Sequence, residues 1–271
     1  MMSRRSIRIA LTSLALSCSL PGPILAATCG APFDAWLGDV RREAAAKGIS
    51  DKTIRSTLDG LTPDDTVLKR DRSQKVFQQS FEEFSARMIP PRLLPGSNRM
   101  KQYGSLLGRI EERYGVPGSV VVAIWGLETD FGANTGKFPT LRALATLAHD
   151  CRRAETFGTE LLDALAIVER GDLAPAEMRG AWAGEIGQTQ FMPSSYLKYA
   201  ADFDGNGHAD LLRSVPDVLA STANFLAAKG WQRGKDWAPG SPNFEVLKQW
   251  NKSDVYSRTV ASFAAQLDKA P

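Results

Sequence analysis

Apolar residues recur along this chain at helical rather than strand spacing. In PFDAWLGDVRREAAAKG, Phe33, Trp36, Leu37, Val40 and Ala44 fall on one face and Gly48 ends the run. SDKTIRSTLDG reads as a short second helix with Ser50 as N-cap. SQKVFQQSFEEFSARM repeats the pattern through Val76, Phe77, Phe81 and Phe84. IPPRLLPG then predicts a break, because three prolines do not fit a helix interior. A further helix is expected from about Asn98 to Tyr114, with core helices following in VPGSVVVAIWGLETDFG, ETFGTELLDALAIVERG and VPDVLASTANFLAAKG. The chain contains no internal repeat and no low-complexity linker. The Pro-rich break near residue 90 suggests an N-terminal arm ahead of a core.

One stretch departs from simple periodicity. IWGLETDFG, residues 124–132, carries an acid straight out of an apolar run. In a helix from Pro117, the residues Val121, Ile124, Trp125 and Glu128 lie near one face. An acid at the end of an apolar stripe is partly desolvated, which raises its pKa and suits it to act as a general acid. The alternative is a carboxylate at a solvated helix end. Asp130 is two residues on and points to a different side, so a second carboxylate would have to come from elsewhere. AGEIGQTQFMPSSY, residues 183–196, is rich in Gly, Gln and Ser beside aromatic groups. Amide side chains donate and accept hydrogen bonds, as sugar hydroxyls and acetamido groups require. The alternative is a turn before a helix capped by Ser194 or Ser195.

Charge changes the picture once the N-terminus is set apart. The 271 residues hold 33 basic and 30 acidic side chains. Residues 1–27 contain Arg4, Arg5 and Arg8 and no acid, so removing them leaves 30 against 30. That balance gives no reason to expect a nucleic-acid partner. The same 27 residues read as a secretory leader: a basic start, the apolar IALTSLALSCSL, and PGPILAA ending in small residues. The apolar run is short for a membrane span and is followed by Pro21 and Pro23. Cleavage near Ala27 is the expectation, with lipid anchoring through Cys18 as the alternative. The mature chain then carries no transmembrane segment and lies in the periplasm. Cys29 and Cys151 remain, and an oxidising compartment favours one disulfide between them over two separate thiols.

GLETDFG, then GKFPTLRALATLAHDCRRAETF, then GEIGQTQFMPSSYLKYAADFDGNGHADL, in that order and spacing, resemble the membrane-bound lytic transglycosylase B family from about residue 30 to the end. The resemblance implies a mainly α, α+β lysozyme-like fold. It divides the chain into an arm (28–95), a lysozyme-like core (96–235) and a short C-terminal return (236–271). It implies a monomer that binds peptidoglycan glycan strands. Such enzymes cleave the β-1,4 bond between N-acetylmuramic acid and N-acetylglucosamine and leave a 1,6-anhydro ring. Glu128 would be the single acid and then base, with the sugar's acetamido group stabilising developing charge. Gln190 falls at a substrate-contacting glutamine, Asn224 in the groove region, and Tyr256 at a C-terminal aromatic position. Phe225 stands where members often have tyrosine and Ala181 where some have serine, so each loses a hydroxyl contact. Glu185 is an extra acid, either a second groove carboxylate or a surface charge. Arg152 and Arg153 match an arginine pair that supports peptide stems or the groove wall; a solvated helix end is the alternative. Two other classes stay open: a hydrolytic muramidase using Glu185 or another acid, and a non-catalytic wall-binding scaffold.

DFDGNGH supplies a candidate metal site. Asp202, Asp204 and Asn206 alternate, Gly207 supplies the sharp turn, and His208 offers a backbone carbonyl, as in the start of an EF-hand loop. The twelfth position is Arg213 rather than Glu; Asp217 would replace it in a longer loop of the kind the resemblance suggests. Asp217 also reads as the far end of a capping box from Ser214. The ligands are all oxygen, which points to structural Ca²⁺; a metal-free Asp/Asn-Gly turn is the alternative. GANTGK is one residue short of a phosphate loop and Phe138 replaces its Ser or Thr. Two histidines and no G-x-S-x-G leave little basis for a zinc or serine-hydrolase site. The tryptophans read as core, with Trp125 the one considered as groove wall or support for the acid.

Overall fold

The structure, a computed structural model, describes residues 30–73 and 79–269. The expected leader, Cys29 and the Val76–Phe77 part of the third pattern lie outside the described residues. Helices α1 (Phe33–Ala46), α2 (Asp51–Leu58) and α3 (Asp65–Arg72) form the first group. Trp36, Leu37, Val40 and Ala44 are buried, as the spacing predicts. Ser50 caps α2 by accepting from the Thr53 amide, and its hydroxyl donates to Glu169 at 2.7 Å. α3 is tied down from outside: Arg142 donates to the Thr62 and Pro63 carbonyls, each at 2.8 Å.

α4 (Phe81–Met88) starts later than the apolar pattern suggests, because Ser80 and Glu83 form a capping box that fixes its first turn. α5 (Pro90–Gln102) overturns the expected proline break. Pro90 and Pro91 sit in its first turn, where no amide donor is needed. Pro95 is interior and costs one backbone bond, which burial of α5 against α7 and α13 offsets. The break shrinks to Ile89. The helix expected from Asn98 to Tyr114 is two, because Tyr103 (φ −108°, ψ 15°) separates α5 from α6 (Gly104–Tyr114).

α7 (Gly118–Thr129) is the centre of the molecule. Every residue from Gly118 to Leu127 is buried, and Thr129 with them. The single apolar face expected from sequence is therefore corrected: α5, α6, α11 and α13 surround the helix, so no side of it has to be polar. The remaining helices are α8 (Thr140–His149), α9 (Ala154–Glu169), α10 (Pro193–Tyr199), α11 (Val215–Ala228), α12 (Pro242–Trp250) and α13 (Asp254–Lys269). The expected short return is these last two helices, and α13 packs along α7, α5 and α4. The β part of the fold is a two-residue ribbon, β1 (Phe138–Pro139) antiparallel to β2 (Arg179–Gly180). No helix among the described residues is long and apolar enough to cross a membrane.

Close approach to α7 depends on its glycines. A Cβ on Gly126 would lie 2.8 Å from two ring atoms of Phe131 and 3.1 Å from Phe263. Helix propensity alone would favour alanine by about 1 kcal/mol. Overpacking of this kind costs about 1–3 kcal/mol, so G126A is expected to lower the Tm. A raised Tm in calorimetry would contradict this packing.

Candidate active site

The last turn of α7 is held by three backbone constraints. Asp130 (φ 52°) and Phe131 (φ 60°) adopt left-handed conformations ahead of Gly132 (φ 87°). The helix thus ends at Thr129, before the glycine that sequence suggests as its stop. Arg92 of α5 secures this end: Nε donates to the Gly126 carbonyl at 2.9 Å, and Nη2 pairs with Asp130 at 2.6 Å. Thr129 donates its hydroxyl to the Gln188 carbonyl at 2.5 Å and accepts from the Gly132 amide at 3.0 Å.

Gln188 locks the GEIGQTQF loop onto α7. Its Oε1 accepts from the Trp125 indole at 2.9 Å, and its Nε2 donates to the Leu212 carbonyl at 2.9 Å. Trp125 is 1% exposed and belongs to the core, so it neither walls the groove nor touches the acid. The loop turns back through an Ile186–Phe191 bridge. Its floor is backbone against backbone: a Cβ on Gly136 would lie 2.2 Å from the Gly180 carbonyl oxygen, and one on Gly180 only 1.7 Å from that of Glu185. Gly136 thus belongs to the ribbon, not to a phosphate loop. Neither Ser194 nor Ser195 caps α10. Met192 occupies that position with Pro193 next, and Ser194 instead bonds Glu160 through its hydroxyl at 2.7 Å.

Glu128 opens into a cleft of about 280 Å³ lined by Glu185, Gln190, Phe191, Met192, Ser195, Phe225, Gln249, Trp250 and Asn251. Its Oε1 accepts from the Tyr256 hydroxyl at 2.6 Å and from the Trp250 indole at 2.9 Å. Burial pushes the Glu128 carboxyl above the usual carboxylate range; the two donors pull it down and Glu185 pushes it up. Burial also raises Glu185, whose carboxylate accepts from the Ala183 amide at 3.1 Å and feels the Arg153 charge. The extra acid is thus a second cleft carboxyl. Tyr256 is held well above the usual phenol range, by burial first and then by Glu128, so it stays a donor.

The other expected residues divide. Gln190 (φ 56°) lines the cleft, with Nε2 donating to the Thr135 and Gly187 carbonyls at 3.1 and 2.8 Å. Phe225 lines it too, its ring edge-on to Phe191, Tyr199 and Trp250. Asn224 does not: its amide donates to the Tyr199 carbonyl at 3.0 Å, and the asparagine lining the cleft is Asn251. Arg152 and Arg153 both pair with Asp71, which is 2% exposed, so they anchor the end of α3 rather than a solvated helix end. Cys151 is disulfide-bonded. Sequence reading missed Trp250, Asn251, Gln249 and Met192. Trp250 continues the Phe244–Leu247 stripe of α12 by one helical step, so periodicity files it with the core. Its signal lies in its nearness to Tyr256.

At the DFDGNGH loop, Asp202, Asp204 and Asp217 each offer a carboxylate oxygen within 4.8 Å of the others. Asp202 accepts from the Gly205, Asn206 and Gly207 amides, and those donors, Gly207 first, hold its pKa low. The expected capping box is half formed. Ser214 accepts from the Asp217 amide, but the Asp217 carboxylate turns to the Phe203, Asp204 and Asp210 amides. The His208 ring turns away, 3.7 Å from Asp172. Arg213 pairs with Asp210 and Glu177, away from the ligand position its place in the motif would give it. The donor set is hard oxygen at a spacing that fits Ca²⁺.

The chain matches a family model described as Transglycosylase SLT domain over residues 32–241. It is 43% identical over 150 residues to the membrane-bound lytic murein transglycosylase B of Escherichia coli (strain K12), a match covering 52% of this chain and 41% of that protein. The match thus spans less than half of that curated relative's length. The fold superposes on SltB3 of Pseudomonas aeruginosa in complex with NAG-anhNAM-pentapeptide with a TM-score of 0.83, 32% identity, and coverage of 88% of this chain and 80% of that one. It superposes on the Escherichia coli lytic transglycosylase SLT35 in complex with calcium with a TM-score of 0.76, 27% identity, and coverage of 86% and 92%. The extent of the family match, laid over a cleft built round a half-buried glutamate, makes this chain a member of the transglycosylase SLT domain family.

Proposed function

We propose that this chain is a lytic transglycosylase of peptidoglycan, cleaving the β-1,4 bond between N-acetylmuramic acid and N-acetylglucosamine. The observation that carries the reading is the Glu128 carboxyl, raised by burial in a cleft of sugar size and held by two donors. Protonated Glu128 gives its proton to the leaving oxygen as the glycosidic bond breaks. The resulting carboxylate takes the proton of the muramic acid O6 hydroxyl as that oxygen closes on C1. Atoms balance with no water consumed, so no second carboxylate is required. The acetamido group of the sugar stabilises charge at C1. Gln190 Oε1 and Asn251 offer polar contacts, and Phe225 an apolar face for the sugar. The lining position of Glu185 favours one second reading, hydrolysis with Glu185 activating water. A non-catalytic scaffold would have no need of a raised acid in the cleft.

We further infer an exported, periplasmic, monomeric protein built as arm, core and return, with Cys29 as the disulfide partner of Cys151. Gly30 supports that pairing, since its Cβ position would lie 3.6 Å from the Cys151 sulfur. Ca²⁺ would be held by Asp202, Asp204 and Asp217 and would link the loop to α11.

Incubation with purified peptidoglycan is expected to release anhydro-ended muropeptides, one water lighter than reducing ends by mass spectrometry. E128Q should cut turnover by at least 10³-fold with the fold retained. Reducing ends would establish the hydrolytic reading instead, and binding without products the scaffold. The same variant has a stability signature. A carboxyl whose folded pKa is raised stabilises the fold below the unfolded value, about pH 4, and that contribution is lost as pH rises through the folded pKa. E128Q should therefore equal the wild type in Tm at acid pH and exceed it at neutral pH; equal Tm values at pH 7 would contradict the burial. Millimolar Ca²⁺ should raise the Tm of the wild type by a few degrees and not that of D202N/D204N. An unchanged wild-type Tm would remove the ion.

A further inference from the structure

The Glu128 carboxyl is asymmetric. Oε1 accepts two hydrogen bonds, from Trp250 Nε1 at 2.9 Å and Tyr256 Oη at 2.6 Å. No donor among the described residues reaches Oε2. Nor is Oε2 among the buried side-chain atoms left without a partner, which leaves it open to the cleft that Glu128 lines. The two donors differ in kind. A tyrosine hydroxyl can rotate and accept when the carboxyl is neutral, whereas an indole N–H is a donor only, at every pH. A proton on Oε1 would face that N–H hydrogen to hydrogen. The indole cannot turn away, because its ring is edge-on to Phe191 at 5.3 Å and to Phe225 at 5.0 Å.

We propose that Trp250 is a positioning residue for Glu128: its donor-only N–H bars the proton from Oε1 and so confines it to Oε2, on the cleft side. On the proposed transglycosylase reading, Oε2–H gives its proton to the leaving oxygen as the C1–O4 bond breaks. The emptied Oε2 takes the O6 proton as C1–O6 forms. Acid and base are then one atom, and the carboxyl need not rotate between the two halves of the reaction. The titratable groups that face Glu128 are Tyr256 of α13 and Glu185 of the loop before α10. Trp250 is the donor of the set that does not titrate.

W250F keeps an aromatic body and removes the donor. It should lower kcat by about 10–100-fold with KM within about 3-fold, a part of the roughly 10²–10⁴-fold that a general acid supplies, because Glu128 itself remains. Its alkaline limb should move to higher pH, because one of the donors that favour the carboxylate is gone. W250Y supplies a hydroxyl that can rotate and accept, so it should not restore the bar on Oε1 and should fall in kcat with W250F. Wild-type kcat and pH profile in W250F would overturn the proposal, as would wild-type kcat in W250Y or a fall in W250F with no shift of the limb. A second measurement does not depend on turnover or on the variant folding. Titration of wild-type tryptophan emission should show a step as Glu128 ionises, and that step should be missing in E128Q. Identical titrations would overturn the contact. A chain that cleaves nothing but shows the step would refute the proposed function and leave the placement of the proton standing.

Discussion

The position of Glu128 follows from the fact that α7 has no polar side. A helix packed against four others can carry an ionisable group only where its circumference stops being enclosed, and on α7 that is the last turn. Everything around the cleft serves to keep that turn in place. Arg92 takes the Gly126 carbonyl and pairs with Asp130, Thr129 reaches across to Gln188, and Gln188 returns through its side chain to Trp125. Apart from the partly exposed Arg92–Asp130 pair, these bonds are side chain to backbone or made in the dry core, where a missing partner costs about 1–3 kcal/mol. They fix the acid by fixing the two segments that flank it, while among the described residues the acid itself is touched by two donors.

Much of this could be read from sequence because helices carry their own evidence. The burial of Trp36, Leu37, Val40 and Ala44, the Ser50 cap and the acid at the end of an apolar run all follow from local spacing. Local rules failed where tertiary packing outweighed them. Pro95 lies inside a helix because the packing of α5 against α7 and α13 holds that helix together although Pro95 itself is exposed, and Asp217 leaves its capping role because three loop amides claim its carboxylate. Trp250 escaped notice for the opposite reason. It obeys the apolar period of α12 and so looks like core, yet its polar edge reaches the end of a helix 122 residues earlier. No single-element pattern reports a contact of that range. Asn224 and Asn251 differ in the same way: both are asparagines near aromatic residues, and only the packing of α12 beside α11 and α13 separates a brace from a cleft wall.

The two acids of the cleft have different dependencies. Glu128 is governed by burial, then by its two neutral donors and the charge of Glu185; Glu185 is governed by burial, then by backbone amides and the charge of Arg153. Arg153 is itself committed to buried Asp71 at the end of α3. The electrostatic setting of Glu185 therefore reaches into the N-terminal helices, whereas that of Glu128 is set by α12, α13 and Glu185 itself.

The stacked glycines beneath the cleft set a limit on how such a site can change. At Gly136, Gly180 and Glu185 three stretches of main chain touch with no side chain between them. Any larger residue at either glycine would have to drive two loops apart at once, so neighbouring sequences of one mutational step are closed there. Divergence in what the cleft accepts is thereby channelled to its walls, to Met192, Phe225, Gln249 and Asn251, where a side chain can be exchanged without moving the main chain.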